Sequence, residues 1–180
     1  MRSDARQNRE RVLAAARAEF AAHGGQVSLN AVARRAGVGP GTLYRHFPTL
    51  PDLLVAIVRD DVDALCAHGR ELLGDPSPGA ALRSWLRELA AHATAMRGLV
   101  ATELLAAEHG TALTDCHTAI EETGGALLAR AERAAGRTEP IPITDVLIAV
   151  SAMAWASEHG PPDDEGRLDR LLALVTAGLP

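Results

Sequence analysis

Apolar residues recur along this chain at the three- and four-residue spacing of helices, and no stretch shows the two-residue alternation of a half-buried strand. Val12, Leu13, Ala16 and Phe20 mark a first helix from Arg6 to His23, stopped by Gly24-Gly25. Ser28 is placed to cap a second, in which Leu29, Val32, Ala33 and Ala36 form one face before Gly37 ends it after barely two turns. Val38-Gly39 makes a turn, Pro40 suits a first helical position because its missing N–H is not needed there, and Leu43 and Phe47 fall one turn apart.

Pro48 and Pro51 close this three-helix unit, and Leu53, Leu54, Ile57, Val58, Val62 and Leu65 then carry a long helix towards Leu73. A Pro- and Gly-rich turn from Gly74 to Gly79 precedes an amphipathic helix through Leu82, Trp85, Leu86, Leu89, Ala93 and Met96, ending at Gly98. A short helix is predicted over Leu99 to Glu108. A longer one follows over Thr111 to Ala135, with Gly124-Gly125 placed to kink it. Ile143 to His159 is apolar on nearly every side, and Leu168, Leu171, Leu172 and Val175 stripe a final helix. The expected fold is all-α with about nine helices: a helix-turn-helix domain over residues 1–50 and a larger helical domain over 51–180. A helix that is apolar all round has to be buried. A second copy of the chain is the expected cover, giving a four-helix dimer interface from Ile143 to His159 and Arg167 to Ala177.

Charge changes the picture, because it is not spread evenly. All 18 basic residues are Arg, and eight of them lie in the first 47 residues against only Asp4, Glu10 and Glu19, whereas the rest of the chain holds ten Arg against twenty acids. The net charge of −5 therefore hides a basic first quarter of the kind that meets a polyanion, followed by an acidic remainder that does not. With 47% hydrophobic and 23% charged residues the chain is expected to fold rather than stay disordered. No apolar run approaches the roughly 20 residues of a membrane span and no secretory stretch opens the chain, so a cytoplasmic protein is predicted.

Two short helices joined by a Gly-containing turn and braced by a third are the geometry that sets the second short helix into the DNA major groove. In the segment Gly39 to Phe47, Leu43 and Phe47 pack inward and leave Gly41, Thr42, Arg45 and His46 outward. Arg45 has the fork to pair with guanine and Thr42 the methyl to touch thymine. Gly41, entered through Gly39 and Pro40, allows the backbone to approach closely. Tyr44 and His46 suit phosphates, as do the backbone donors at Ser28, Leu29 and Asn30 that open the second helix and the guanidinium of Arg34 further along it.

The stretch Ser28-Leu-Asn-Ala-Val-Ala-Arg-Arg-Ala-Gly-Val-Gly-Pro-Gly-Thr-Leu-Tyr-Arg-His-Phe47 closely resembles the DNA-binding signature of the TetR/AcrR family of transcriptional regulators. The resemblance covers residues 6 to 60, and the closing Leu171 to Leu179 looks like the end of that family's divergent sensor domain. It implies a homodimer that binds a palindromic operator in double-stranded DNA, usually repressing a gene until a small-molecule effector enters the sensor domain. It also implies a mostly apolar cavity among the middle helices, for which Trp85, Leu89, His92, Met96, Leu104, His117, Ile120 and Trp155 are the candidate lining residues. One departure stands out. Many members carry a Lys at the start of the fourth helix for a phosphate, where this chain has Leu50 and Pro51.

Neither a metal nor a cofactor is predicted. Cys66-Ala-His68 and Cys116-His117 lack the paired spacing of a zinc site, the two cysteines are too few for a disulfide framework, and no phosphate-cradling loop, nucleophile elbow or metalloprotease helix occurs. An enzyme is therefore not expected. Two other readings fit the same helical pattern: a small ligand-binding carrier or enzyme whose basic N-terminus is incidental, and an interaction module whose apolar C-terminal helices meet another protein.

Overall fold

The computed structural model describes residues 2–23, 26–103, 110–160 and 166–179, with side chains placed for 7–23, 26–93, 113–160 and 166–179. Eight helices and no strand occur among the described residues: α1 (Arg2–His23), α2 (Leu29–Ala36), α3 (Pro40–His46), α4 (Leu50–Leu72), α5 (Pro78–Glu103), α6 (Gly110–Ala134), α7 (Ile143–Glu158) and α8 (Arg167–Thr176).

The difference from about nine helices arises at Gly98. The expected stop there is overrun, and α5 continues to Glu103, so that residues 99–103 extend it instead of opening a separate short helix. A single Gly inside a helix costs about 1 kcal/mol relative to Ala, which neighbouring turns absorb when no cap or proline follows. The remainder of the short helix expected up to Glu108 lies outside the described residues.

The chain divides into two compact units. One comprises Met1–Asp60 with Arg97–Leu113, the other Asp61–Met96 with Thr114–Pro180. In the first, α1 packs on α2 and α2 on α3. The predicted inward faces are the buried ones: Val12, Leu13, Ala16 and Phe20 of α1, Leu29, Val32, Ala33 and Ala36 of α2, Leu43 of α3 and the adjoining Phe47. The first turns of α4 bury Leu53, Leu54 and Ile57.

Local chemistry sets the limits of the short helices. Ser28 Oγ accepts the N–H of Ala31 at 3.2 Å and starts α2. Gly37 ends it at φ +64°, its N–H pointing back to the carbonyls of Ala33 and Arg34. Any residue with a Cβ is strained in that left-handed conformation, so the turn before α3 favours glycine. Pro40 occupies the opening of α3 behind Gly39. The start of α4 carries a device that the spacing did not suggest. Thr49 and Asp52 cap each other, with the Thr49 N–H on Asp52 Oδ2 at 3.0 Å, the Thr49 hydroxyl on the same oxygen at 2.6 Å and the Asp52 N–H on Thr49 Oγ1 at 3.3 Å.

The second unit is built around Trp85, which is fully buried among Leu82, Leu86, Leu127, Leu128, Val146 and Val150. Its indole N–H donates to the Leu65 carbonyl at 3.1 Å, so the one polar atom of the ring is satisfied. The ring lies where Gly69 and Gly124 have no side chain, since a Cβ on Gly124 would come within 2.8 Å of Trp85 Cζ3. The Gly124-Gly125 pair sits inside an uninterrupted α6, and at Gly124 the glycine makes room for the indole. α8 packs on α7 and contributes Leu172 to this core.

Candidate nucleic-acid interface and sensor surface

α3 is anchored by its two ends. Leu43 is 1% exposed and Phe47 8%, and with both rows of atoms held inward the opposite face of the helix has to meet solvent. Pro40, Gly41, Tyr44, Arg45 and His46 are exposed there and Thr42 half-buried. The Arg45 Nε donates to the Gly41 carbonyl one turn back at 3.1 Å, which lays the side chain along the helix while leaving both terminal nitrogens outward. Tyr44 Oη donates to Asn30 Oδ1 at 3.4 Å, a long hydrogen bond that joins the exposed faces of α3 and α2.

At the start of α2, Ser28 and Asn30 are exposed. Leu29 is 8% exposed, so its side chain belongs to the core and only its backbone faces the position a phosphate would take. Arg34 is exposed on α2 beside Arg35, whose Nη1 pairs with Glu19 Oε1 of α1 at 2.8 Å. That hydrogen bond holds the Glu19 carboxyl below the usual carboxylate range. Of the expected DNA-contacting residues, Tyr44 and Asn30 are joined by the hydrogen bond between their side chains, and all of them except Leu29 are exposed or half-buried. Sequence reading did not include α1 in this group. Asn8 and Arg9 of α1 line a small concavity with Thr42, His46 and Phe47, a juxtaposition visible only once α1 is folded against α3.

The expected effector-binding residues whose side chains are described have differing surroundings. Trp85 and Leu89 are core residues, and Ile120 is half-buried against the same core. His92 is partly buried. Loss of solvation lowers its pKa, opposed by the charge of Asp61, so the neutral ring is favoured. Trp155 is 52% exposed on α7 and stacks on His159 with ring centres 4.3 Å apart. Met96 and Leu104 lie outside the residues whose side chains are described. His117 is exposed on α6 and pairs with Glu121 at 3.2 Å. These two, with Thr144, Leu147, Ile148 and Ser151 of α7, line a surface groove of about 310 Å³. Cys66 and Cys116 are buried and not joined in a disulfide, and among the described residues no group of three metal-binding side chains converges. No described helix is long and apolar enough to cross a membrane.

A short, outward-facing helix behind a left-handed glycine turn, braced by α1 and joined to a separate helical body, defines a helix-turn-helix protein. Known proteins agree with that class and narrow it. Residues 12–57 match the family of bacterial regulatory proteins named for tetR, and residues 77–180 match the C-terminal domain of SbtR-like transcriptional regulators. An HTH-type transcriptional regulator of Staphylococcus aureus is 37% identical over 76 residues, which are 42% of this chain and 41% of the relative. The chain thus spans about two fifths of the length of the curated relatives it matches. The crystal structure of a TetR transcriptional regulator from Streptomyces coelicolor is similar over 95% of this chain and 97% of that one, at 36% identity and a TM-score of 0.76. One from Mycobacterium vanbaalenii is similar over 99% and 98%, at 35% identity and a TM-score of 0.75. The chain belongs to the TetR family of bacterial transcriptional regulators.

Proposed function

We propose that this protein is a dimeric, cytoplasmic repressor that holds a palindromic operator through α3 of each copy and leaves it when a small molecule binds the helical body. The observation that carries this reading is the exposed face of α3, where Gly41, Thr42, Tyr44, Arg45 and His46 stand outward from a helix pinned by Leu43 and Phe47. In this reading Arg45 and Thr42 read base edges, and Gly39, Pro40 and Gly41 let the backbone come close. Ser28, Leu29, Asn30, Arg34, Tyr44 and His46 meet phosphates, Leu29 through its backbone alone. Residues 1–50 form the reading domain and 51–180 the sensing and dimerising one.

The last two helices join the copies. Ile148, Trp155 and Leu174 are 68%, 52% and 73% exposed, large apolar side chains on neighbouring helices that a second copy would cover. The effector is a largely apolar small molecule with hydrogen-bonding capacity. His92 and His117 are the candidate polar groups for it, and Leu89 and Ile120 the candidate apolar ones. Trp85 acts as a fixed wall, because its ring is already in full contact.

The test is a binding curve on DNA from upstream of the protein's own gene, at two salt concentrations, for the wild type and for Thr42→Ala combined with Arg45→Ala. Nanomolar-order affinity that weakens steeply with salt and is lost in the double variant is the expected result. Binding without sequence preference, unchanged in the double variant, would remove the regulator reading in favour of a ligand carrier.

A further inference from the structure

The opening of α4 offers nothing to a phosphate. Leu50 is apolar, Pro51 has no N–H, and the capping carboxylate of Asp52 repels an anion. α1, by contrast, brings a cation to the edge of the reading helix. Arg9 lines a concavity of about 20 Å³ together with Thr42, His46 and Phe47, a space no larger than a single water needs, so these side chains are close neighbours. Arg9 is also held in place. Its Nη1 donates to Asp60 Oδ1 at 3.1 Å, while Arg17 Nη2 donates to Asp60 Oδ2 at 2.9 Å.

Two guanidiniums share one carboxylate. The bond to Asp60 occupies one of the five donor hydrogens of Arg9 and leaves Nε and Nη2 to act elsewhere. The Arg9 side chain is 47% exposed and thus reachable from solution. Burial raises the Asp60 pKa, but the hydrogen bonds from Arg17 and Arg9 outweigh this and hold it below the usual value, so the carboxylate stays charged at neutral pH. A side chain already fixed in one geometry loses less entropy on meeting a ligand than a free one.

We propose that Arg9 is a further contact to the DNA backbone, reaching a phosphate beside the groove that α3 enters, and that Asp60 is its positioning residue. The inference rests on the DNA-reading function proposed above and extends the interface to α1 and α4.

Plain electrostatics and this proposal predict opposite signs for one substitution, which makes the test sharp. Removing an acid near a polyanion site strengthens binding when charge alone matters. If Asp60 aims Arg9, then Asp60→Asn weakens it. The probe is a duplex that the wild-type protein selects from a random-sequence pool. Arg9→Ala is expected to weaken binding about tenfold and to lower the slope of log affinity against log salt by about one, uniformly across sequences. Asp60→Asn is expected to weaken it several-fold, with the slope lowered in the same direction. Arg83→Ala on α5, which removes the same charge from the other unit, leaves the curve unchanged. Arg9→Ala replaces a partly exposed residue by the best helix former, so folding is kept and the proposal remains testable if Asp60→Asn melts early. Wild-type affinity in Arg9→Ala, or tighter binding in Asp60→Asn, overturns the proposal. A wild-type protein that selects no duplex sinks the DNA-reading function itself.

Discussion

The indole of Trp85 and the two glycines it touches show how one contact can reverse an ordinary preference. Ala in place of Gly inside a helix gains about 1 kcal/mol of intrinsic stability. At Gly124, however, the new Cβ would lie 2.8 Å from Trp85 Cζ3 and 3.0 Å from Ile143 Cδ1, and the fully buried ring has no free space to retreat into. Gly124→Ala is expected to lower unfolding stability by about 1–3 kcal/mol in urea denaturation. Gly41→Ala, with no atom within 4 Å of its added methyl, should not. Histidines at this scale pull in opposite directions. The hydrogen bond that the protonated His68 Nδ1 donates to Glu88 Oε2 at 2.8 Å raises the His68 pKa, helped by the charges of Glu88 and Glu71 and opposed by desolvation. Its stabilising contribution is therefore complete below the ordinary histidine value and disappears as pH rises through the raised one. Desolvation lowers the His92 pKa, so that contribution is present above the ordinary value and fades as pH falls. Replacing His68 by Gln should remove the part of the stability loss that wild type shows as pH rises above the ordinary histidine value, measured as the shift in urea midpoint.

Helices separate into those whose ends are written locally and those whose ends are not. Ser28 and Gly37 bound α2 through one side-chain hydrogen bond and one left-handed residue, both recognisable from residue type and spacing. Ser28→Ala is expected to cost about 1 kcal/mol and, because the capped end of α2 belongs to the proposed phosphate site, to weaken DNA binding as well. Thermal denaturation and a binding titration on the same preparation would check both effects. The end of α5 and the start of α4 were less legible. Gly98 alone is a weak stop, and the pairing of Thr49 with Asp52 was obscured by Leu50 and Pro51 between them, which read as the close of the preceding unit.

At the scale of the whole molecule, the chain leaves large apolar groups on α7 and α8 facing solvent while one side of each helix is packed. Val146, Leu147, Val150 and Ala154 turn one side of α7 into the core, and Ile148 and Trp155 are exposed. An apolar aromatic near the centre of an interface is a common energetic anchor, worth about 2 kcal/mol or more. If α7 and α8 join the copies as proposed, Trp155→Glu is expected to raise the dimer dissociation constant about 30-fold or more in sedimentation equilibrium, while keeping its helical circular dichroism. Operator affinity would fall with the loss of the dimer, since each copy carries one reading helix.

The division between what was readable in the chain and what needed the fold follows from the range of the interactions involved. Helical periodicity, the cap at Ser28, the turn at Gly37 and the basic first quarter act over a few residues or as summed charge, so the all-α class, the reading helix and its outward residues Gly41, Thr42, Tyr44 and Arg45 were legible from the sequence alone. The cavity implied by the family resemblance had eight candidate lining residues, whose convergence helical spacing alone does not show. Trp85 and Leu89 lie in a buried core, His117 lines a surface groove and Trp155 is half-exposed. Periodicity states which face of a helix is apolar, but not which helix lies opposite it. Only the tertiary structure decided that Trp85 rests on Gly124, that Asp60 pairs with Arg9, and that Thr42 lines a concavity with Arg9, because these placements depend on side-chain volume and charge meeting across separate helices.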